Sequence, residues 1–353
     1  MSSAPTRAGH GGAEPGLTKI LVVGGSGFVG GAIVRAVAQR DDMRPIAGMR
    51  RSRPGPNGAA IETRTFDASD PAALAGALDG VTHAVNCVLG TPRTMIAATR
   101  NLCAAARQSG LRRIVHLSSM AVYGAATGLV DETARLDPVG GYGRAKAECE
   151  ALVADFIASG GDAVIIRPGC VYGPGGEQWV GRIARWLQAK RLGDLGEMGD
   201  GYCNLTFNDD LANAVVASLT AEQVSGEAFN FVDTDVDTWN RYFVRLGQAI
   251  GAPAGRISSL RMHLEATLLA PPLQIAKIVS ARIGRYGPAL PAPITPSLLR
   301  LWRQKIRLDS RKADRLLRFP RTPVEQGLAR SADWFRSAVV MPHGRTASAD
   351  SVA

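Results

Sequence analysis

The sequence predicts an α/β fold: a doubly wound parallel sheet with helices on both faces and a smaller C-terminal substrate lobe. Three observations carry this. Short apolar runs alternate with helical stretches through the first half of the 353 residues, the rhythm of a parallel sheet covered on both sides. A glycine-rich turn, Gly24 to Gly30, joins the first apolar run to the first helical stretch. Beyond Arg167 the rhythm breaks up, so a separate lobe is expected there.

Lys19–Val23 is an apolar run closing on glycines, as a buried parallel strand does. Gly27–Arg40 has helical spacing through Phe28, Ile33, Val34 and Val37. A second strand is expected at Ile46–Met49, then a loop rich in Arg, Pro and Gly from Arg51 to Gly58. Asp70 and Pro71 read as N-cap and first helical residue: Asp accepts from first-turn amides, and Pro has no amide to lose there. Strands expected at Ala84–Val88, Ile114–Leu117 and Ala163–Ile166 alternate with helices near Thr94–Ser109 and Gly143–Ser159. A Gly/Pro loop follows at Tyr172–Gly176, then a helix at Val180–Lys190 and a helix Leu211–Leu219 capped by Asp210. Beyond Ile250 the chain is Pro-punctuated and basic, with no strand signal.

Hydrophobic residues make up 46% and charged residues 20%, a balance that excludes a wholly disordered or fibrous chain. The five cysteines (Cys87, Cys103, Cys149, Cys170, Cys203) are odd in number and lack any C-x-x-C pair. That excludes a disulfide framework or zinc ribbon and favours a reducing, cytoplasmic setting. No histidine stands at metal-ligand spacing, so no metal is expected. Residues 1–16 read as a disordered leader rather than a signal peptide, and 341–353 as a disordered tail. Leu264–Ile283 is apolar, but Glu265, Pro271, Pro272, Lys277 and Arg282 interrupt it, so no membrane span is expected.

Gly24-Gly-Ser26-Gly27-Phe28-Val29-Gly30 has the spacing G-x-x-G-x-x-G between a strand and a helix. Glycines there permit a tight turn and close approach of a pyrophosphate, whose charge rests on the helix N-terminus. No Lys-Ser or Lys-Thr follows, as a Walker loop requires, and Phe28 stands where a nucleophile elbow needs Gly. The pattern is Rossmann-type. A ribose-binding acid is expected about 20 residues further on, but Arg50 stands there, with Arg51 and Arg53 nearby, while Asp41 and Asp42 come too early. An arginine suits a 2′-phosphate, so NADP(H) is the preferred cofactor and NAD(H) the second choice.

Tyr142-Gly-Arg-Ala-Lys146 puts a phenol and an ammonium one helical turn apart on one face. With six Tyr and six Lys in the chain, about 0.1 such pairs are expected by chance. A phenol is a poor base at neutral pH, and a neighbouring cation stabilises its anion. Such a pair can move a proton at a substrate oxygen while a nicotinamide moves hydride. Ser118-Ser119, at the end of the strand Ile114–Leu117, offers a hydroxyl to hold that oxygen.

These motifs together resemble the extended short-chain dehydrogenases/reductases of the NAD-dependent epimerase/dehydratase type. The matching residues are Gly24-x-x-Gly27-Phe28-x-Gly30, His116-Leu-Ser-Ser119-Met-Ala-Val-Tyr-Gly124, Tyr142-x-x-x-Lys146, Arg167-Pro-Gly169 with Val171-Tyr-Gly-Pro174, and Asp209-Asp210-Leu-Ala212. They stand in family order over Lys19–Trp239. The resemblance implies Ser119 as the catalytic hydroxyl, Tyr142 as acid/base, and Lys146 as its partner and a ligand of the nicotinamide ribose. It also implies adenine contacts at Asp67 and Ala68, backbone contacts at Cys87 and Val88, and Pro168 with Gly169 beside the nicotinamide. A homodimer through the Tyr142 helix is common in such proteins.

The chain departs from the pattern in three places, one of them Arg50, which stands where sugar epimerases usually carry an NAD-binding acid and so weakens the epimerase reading. Thr94 stands where an Asn often completes a proton relay, and Met120-Ala121 stand where sugar dehydratases carry acids, which disfavours dehydration. The expected organisation is an NAD(P)-binding core over 17–178 and a mixed region over 179–340, combining substrate lobe, basic helical segment and some return to the core. The expected function is hydride transfer to or from a secondary alcohol or ketone, in a nucleotide sugar or other small substrate. The rivals are an NAD-retaining nucleotide-sugar epimerase and a non-catalytic NADP-binding scaffold or sensor.

Arg256–Arg321 holds 14 Lys and Arg against three acids, an excess larger than the whole chain's +10. Within it, Leu298–Leu308 interleaves cations with Leu298, Leu301, Trp302 and Ile306, as an interfacial helix does, so weak contact with an anionic membrane is expected there. No nucleic-acid recognition motif accompanies the charge.

Overall fold

The computed structural model describes residues 17–51, 61–235, 237–283 and 291–340. The expected leader and tail, Arg53 and most of the basic loop lie outside the described residues. The chain begins with β1 (Thr18–Val23), α1 (Phe28–Ala38), β2 (Met43–Met49), β3 (Glu62–Thr65), α2 (Pro71–Ala77), β4 (His83–Asn86), α3 (Pro92–Ser109) and β5 (Arg113–Leu117). β6 (Gly128–Val130), α4 (Gly140–Ala158), β7 (Ala163–Pro168), β8 (Cys170–Tyr172), α5 (Arg182–Gln188), β9 (Tyr202–Cys203), β10 (Leu205–Phe207), α6 (Asn208–Thr220) and β11 (Ala228–Phe231) follow. Then come β12 (Asp237–Thr238), α7 (Trp239–Ala249), α8 (Ser259–Leu264), α9 (Ala270–Ile283), α10 (Pro296–Arg303), β13 (Ile306–Leu308), α11 (Arg311–Leu317) and α12 (Val324–Val340).

Seven strands form one sheet in the order β11-β7-β5-β4-β1-β2-β3, and each neighbouring pair is parallel. The order reverses between β1 and β4, the switch point at which a doubly wound Rossmann-type sheet opens a crevice beyond its carboxyl ends. β1, β4, β5 and β7 are apolar because both faces are covered: Ile20, Val22, Val85, Val115 and Val164 meet α1 and α6 residues, while Leu21, Ala84, Ile114 and Ala163 meet α2, α3 and α4 residues. Asp70 caps α2 as expected, accepting from the amides of Ala72 and Ala73 at 2.9 and 3.2 Å.

The seventh strand is a finding that the hydrophobic pattern does not announce. β11 pairs with β7 from Ala228↔Ile165 to Phe231↔Pro168. Asp210 is a correction. It lies inside the first turn of α6, whose capping residue is Phe207. Its carboxylate instead accepts from the amide and the hydroxyl of Thr322, each at 2.7 Å, tying the approach to α12 onto α6.

A second core fills the C-terminal lobe around Trp186, Trp239, Phe243 and Trp302. This overturns the membrane reading of Leu298–Leu308. Trp302 and Ile306 are fully buried, Leu298 and Leu299 nearly so, and Trp302 packs edge-on against Phe243 with ring centroids 5.2 Å apart. The apolar side of α10 is committed to the core and is not available to a bilayer. Among the described residues no helix is long and apolar enough to cross a membrane.

Candidate active site

The glycine loop follows β1 directly. The amides of Gly24 and Gly25 both donate to the Gly48 carbonyl of β2, at 3.0 and 2.9 Å. Gly24 has φ +88°, and a Cβ there would meet the Cys87 carbonyl oxygen at 2.9 Å. A Cβ on Gly30 would lie 2.2 Å from the Gly24 carbonyl oxygen. Only glycine fits either position. Gly27 caps α1 with no side chain to satisfy the first-turn amides, while Ser26 and Gly27 are exposed. A helix N-terminus left open in this way fits a pyrophosphate. The loop is also braced from a direction that sequence reading missed. Asn208 donates to the Phe28 carbonyl at 3.1 Å, and the Phe28 ring packs on Gly175 and Gly176.

The other expected cofactor residues stand at the same edge, because each follows the carboxyl end of a parallel strand. Arg50 is exposed one residue past β2, beside the glycine loop. Asp42 is at the opposite edge, where its carboxylate accepts from Arg40 at 3.1 Å and its carbonyl from Thr18 at 3.1 Å. Asp67, past β3, accepts from the Ser69 hydroxyl and amide at 2.6 and 2.9 Å. Those bonds hold its carboxyl below the usual range, and the charge of Arg50 adds to the effect. Asn101 holds the Ala68 carbonyl at 3.1 Å. Cys87 donates its amide to Val23 at 2.9 Å and Val88 donates its own to the Asn86 side chain at 3.3 Å. At the end of β7, Gly169 follows Pro168 and bonds Thr206 Oγ1 at 3.0 Å, and a Cβ on it would strike the Asn204 carbonyl at 2.0 Å.

α4 brings the phenol and the ammonium to this edge in different environments. Tyr142 is 41% exposed, and Lys146 is 5% exposed. Lys146 Nζ donates to the carbonyl of Leu117, the last residue of β5, at 2.7 Å. Among the described residues its remaining donors have no other partner. α4 can lie this close because a Cβ on Gly143 would come within 2.6 Å of the Ala121 carbonyl oxygen. Ser119 caps the short turn Met120–Tyr123, its Oγ accepting from the Ala121 amide at 3.2 Å, so its own proton is free to donate outward. Ser118 is buried, and its Oγ has no partner among the described residues.

Behind Lys146, His116 is bonded through Nδ1 to Asn86 at 3.2 Å, and Asn86 to Thr99 at 3.0 Å. Burial, then the Lys146 charge, pushes the His116 imidazole well below its usual range, so it stays neutral.

A network that the motif search missed fixes α4 itself. Tyr142, Lys146 and Glu150 recur every four residues, so they share a face of the helix. Glu150 accepts from Arg167 Nε at 3.0 Å and Nη2 at 2.7 Å. Arg167 also donates to the Tyr123 hydroxyl at 2.7 Å, which in turn donates to Asn230 of β11 at 2.7 Å. Burial works against the Arg167 charge, but bonding to Glu150 outweighs it and holds the guanidinium above its ordinary pKa. The four-residue repeat puts Glu150 on the face of Tyr142 and Lys146, but nothing local marks Arg167 as its partner.

The family model of the NAD dependent epimerase/dehydratase family matches residues 20–231. The chain is 25% identical over 257 residues to 3beta-hydroxysteroid-dehydrogenase/decarboxylase isoform 1 of Arabidopsis thaliana, covering 68% of this chain and 57% of that relative. It is 28% identical over 239 residues to UDP-glucose 4-epimerase of Vibrio cholerae, covering 62% and 72%. Among solved structures, UDP-glucuronic acid 4-epimerase from Bacillus cereus in complex with NAD superimposes with a TM-score of 0.68, at 19% identity over 91% of this chain and 99% of that one.

Proposed function

The chain belongs to the NAD-dependent epimerase/dehydratase family of extended short-chain dehydrogenases/reductases, and from that membership we propose that it is an NADP(H)-dependent oxidoreductase interconverting a secondary alcohol and a ketone in a small substrate. A nucleotide sugar is the default substrate class, and the cytoplasm the setting that suits its five free cysteines. The observation that carries the proposal is the pairing of Arg50, beside the glycine loop, with Tyr142 and Lys146 at the same sheet edge.

The loop Gly24–Gly30 and the start of α1 would hold the pyrophosphate, Asp67 and Ala68 the adenine end, and Cys87, Val88, Pro168 and Gly169 the nicotinamide half. Arg50 would pair with the 2′-phosphate. When bound, the nicotinamide supplies or accepts the hydride at the substrate carbon. Tyr142 gives its hydroxyl proton to the substrate oxygen in reduction and takes a proton from it in oxidation. Lys146, anchored on Leu117 one turn from Tyr142 on the same helix face, would stabilise the phenolate and offer a donor to the cofactor ribose. Ser119 donates to the same substrate oxygen and fixes it for proton transfer.

Arg50→Asp is expected to weaken NADPH binding at least about tenfold, since a lost charge-assisted bond costs roughly 1.5–3 kcal/mol, and to move preference towards NADH. Titration of both nucleotides checks this. If the unaltered protein binds NADPH no better than NADH, the 2′-phosphate role of Arg50 is wrong. Ser119→Ala is expected to lower kcat by about 10²-fold with cofactor affinity kept. Ser118→Ala should leave kcat unchanged and Tm equal or slightly higher, because it removes a buried hydroxyl that has no partner among the described residues. A larger catalytic loss at Ser118 would shift the hydroxyl's role by one residue.

A further inference from the structure

Five of the ten large apolar side chains that stand exposed among the described residues lie on one short stretch. Leu260, Leu264, Leu268, Leu269 and Ile275 are 46–70% exposed. α8, a wide turn at Glu265–Leu269 and α9 form one continuous helical run from Ser259. The inward side of this run is satisfied: Met262, Ala266 and Ala270 are buried, and Glu265 accepts from Arg191 Nε at 2.9 Å. Leu260, Leu264 and Leu268 then follow one another at four-residue spacing on the outward side, with exposed Arg261, His263, Thr267 and Gln274 among them. A contiguous exposed apolar stripe on a folded protein marks an interaction surface.

Charge indicates the partner. From Arg256 to Leu308 the sequence holds nine Lys and Arg and one acid. That acid, Glu265, is buried in its pair with Arg191. The stripe therefore lies in a segment with a strong positive excess and no exposed carboxylate of its own. Apolar side chains beside cations, on a helix too polar to cross a bilayer, match the chemistry of a membrane surface carrying anionic lipid. We propose that α8 and α9 form a peripheral membrane-docking face that lays Leu260, Leu264, Leu268, Leu269 and Ile275 into the interfacial layer, with the neighbouring cations against lipid phosphates. The face is distinct from α10, whose apolar side is buried, and its assignment does not depend on the redox reaction.

Co-sedimentation of the full chain with vesicles tests this. At low ionic strength the protein should sediment with phosphatidylglycerol/phosphatidylcholine vesicles at least about tenfold better than with phosphatidylcholine alone, and high salt should screen the difference. The combined change Leu264→Ser, Leu268→Ser and Ile275→Ser should lower that partition by about tenfold or more. Its fold should be kept because all three side chains are exposed, and unchanged nucleotide binding would verify that. Leu129→Ser, at an exposed leucine on β6, should bind vesicles as the unaltered protein does. Failure to sediment with anionic vesicles at low salt would overturn the proposal. So would equal binding to both vesicle types, or a triple variant that binds undiminished. A dimer in solution that the triple variant abolishes, without vesicle binding, would assign the stripe to a second copy instead.

Discussion

Tyr142→Phe is expected to lower kcat by roughly 10²–10⁴-fold while NADPH affinity stays near that of the unaltered protein. The change removes one oxygen and keeps the ring. Tyr142 is 41% exposed and sits in the first turn of α4, so packing and fold should be little affected. What is lost is the hydroxyl proposed to give and take the proton at the substrate oxygen. Lys146→Ala should differ in kind: its ammonium is buried against the Leu117 carbonyl, so both turnover and nucleotide affinity should fall. Steady-state kinetics on a substrate found by following NADPH absorbance, beside nucleotide titrations, separates the two patterns. More than about a tenth of normal activity in Tyr142→Phe would remove it from the acid/base role.

The second large effect is on stability. Glu150→Ala leaves the Arg167 guanidinium buried without its carboxylate, and breaking a buried pair in this way costs about 3–5 kcal/mol. For a chain of 353 residues that corresponds to a fall in Tm of about 4–7 °C. Both side chains of the pair are under a tenth exposed, at 7% and 5%, so solvent cannot take over from the lost partner. The pair joins α4 to β7, and through Tyr123 and Asn230 it reaches β11. Loss of Glu150 should therefore also loosen the helix that positions Tyr142 and Lys146, with kcat falling before the protein unfolds. Replacing Glu150 and Arg167 together by Met should recover part of the stability, because no unpaired charge is left behind. Thermal unfolding of the single and double variants decides it. A Tm within 2–3 °C of normal in Glu150→Ala would mean that water or another group satisfies Arg167.

The interior of the sheet is legible in the sequence because β1, β4, β5 and β7 are buried on both faces and read as apolar runs. β3 is not. Glu62–Thr65 is the edge strand, its side chains mostly exposed, so nothing apolar marks it. β11 escapes for a different reason. Its four residues, Ala228–Phe231, lie far along the chain from β7, and only the fold shows that they close the sheet. The candidate site is legible where backbone geometry demands one residue type, as at Gly24 and Gly30, or where the chemistry needs a fixed spacing, as at Tyr142 and Lys146. Long-range bracing leaves no local pattern: Asn208 on Phe28 and Arg167 on Glu150 join residues that only the folded chain brings together. Asp210 shows the converse risk. An acid before an apolar helical stretch looks like a cap, yet here its carboxylate serves Thr322.

The distinction between a dissociable reductant and a retained cofactor is open to one direct measurement. An epimerase that recycles its own NAD holds it through purification, and the relative named UDP-glucose 4-epimerase gives that alternative its standing. Freshly purified protein can be denatured and the released nicotinamide nucleotide identified and counted by chromatography, and the native protein titrated with NADPH and NADH in parallel. The expected result is far less than one equivalent of nucleotide per chain, with NADPH binding reversibly and more tightly than NADH. Close to one equivalent of NAD, retained through gel filtration and not displaced by NADPH, would contradict it.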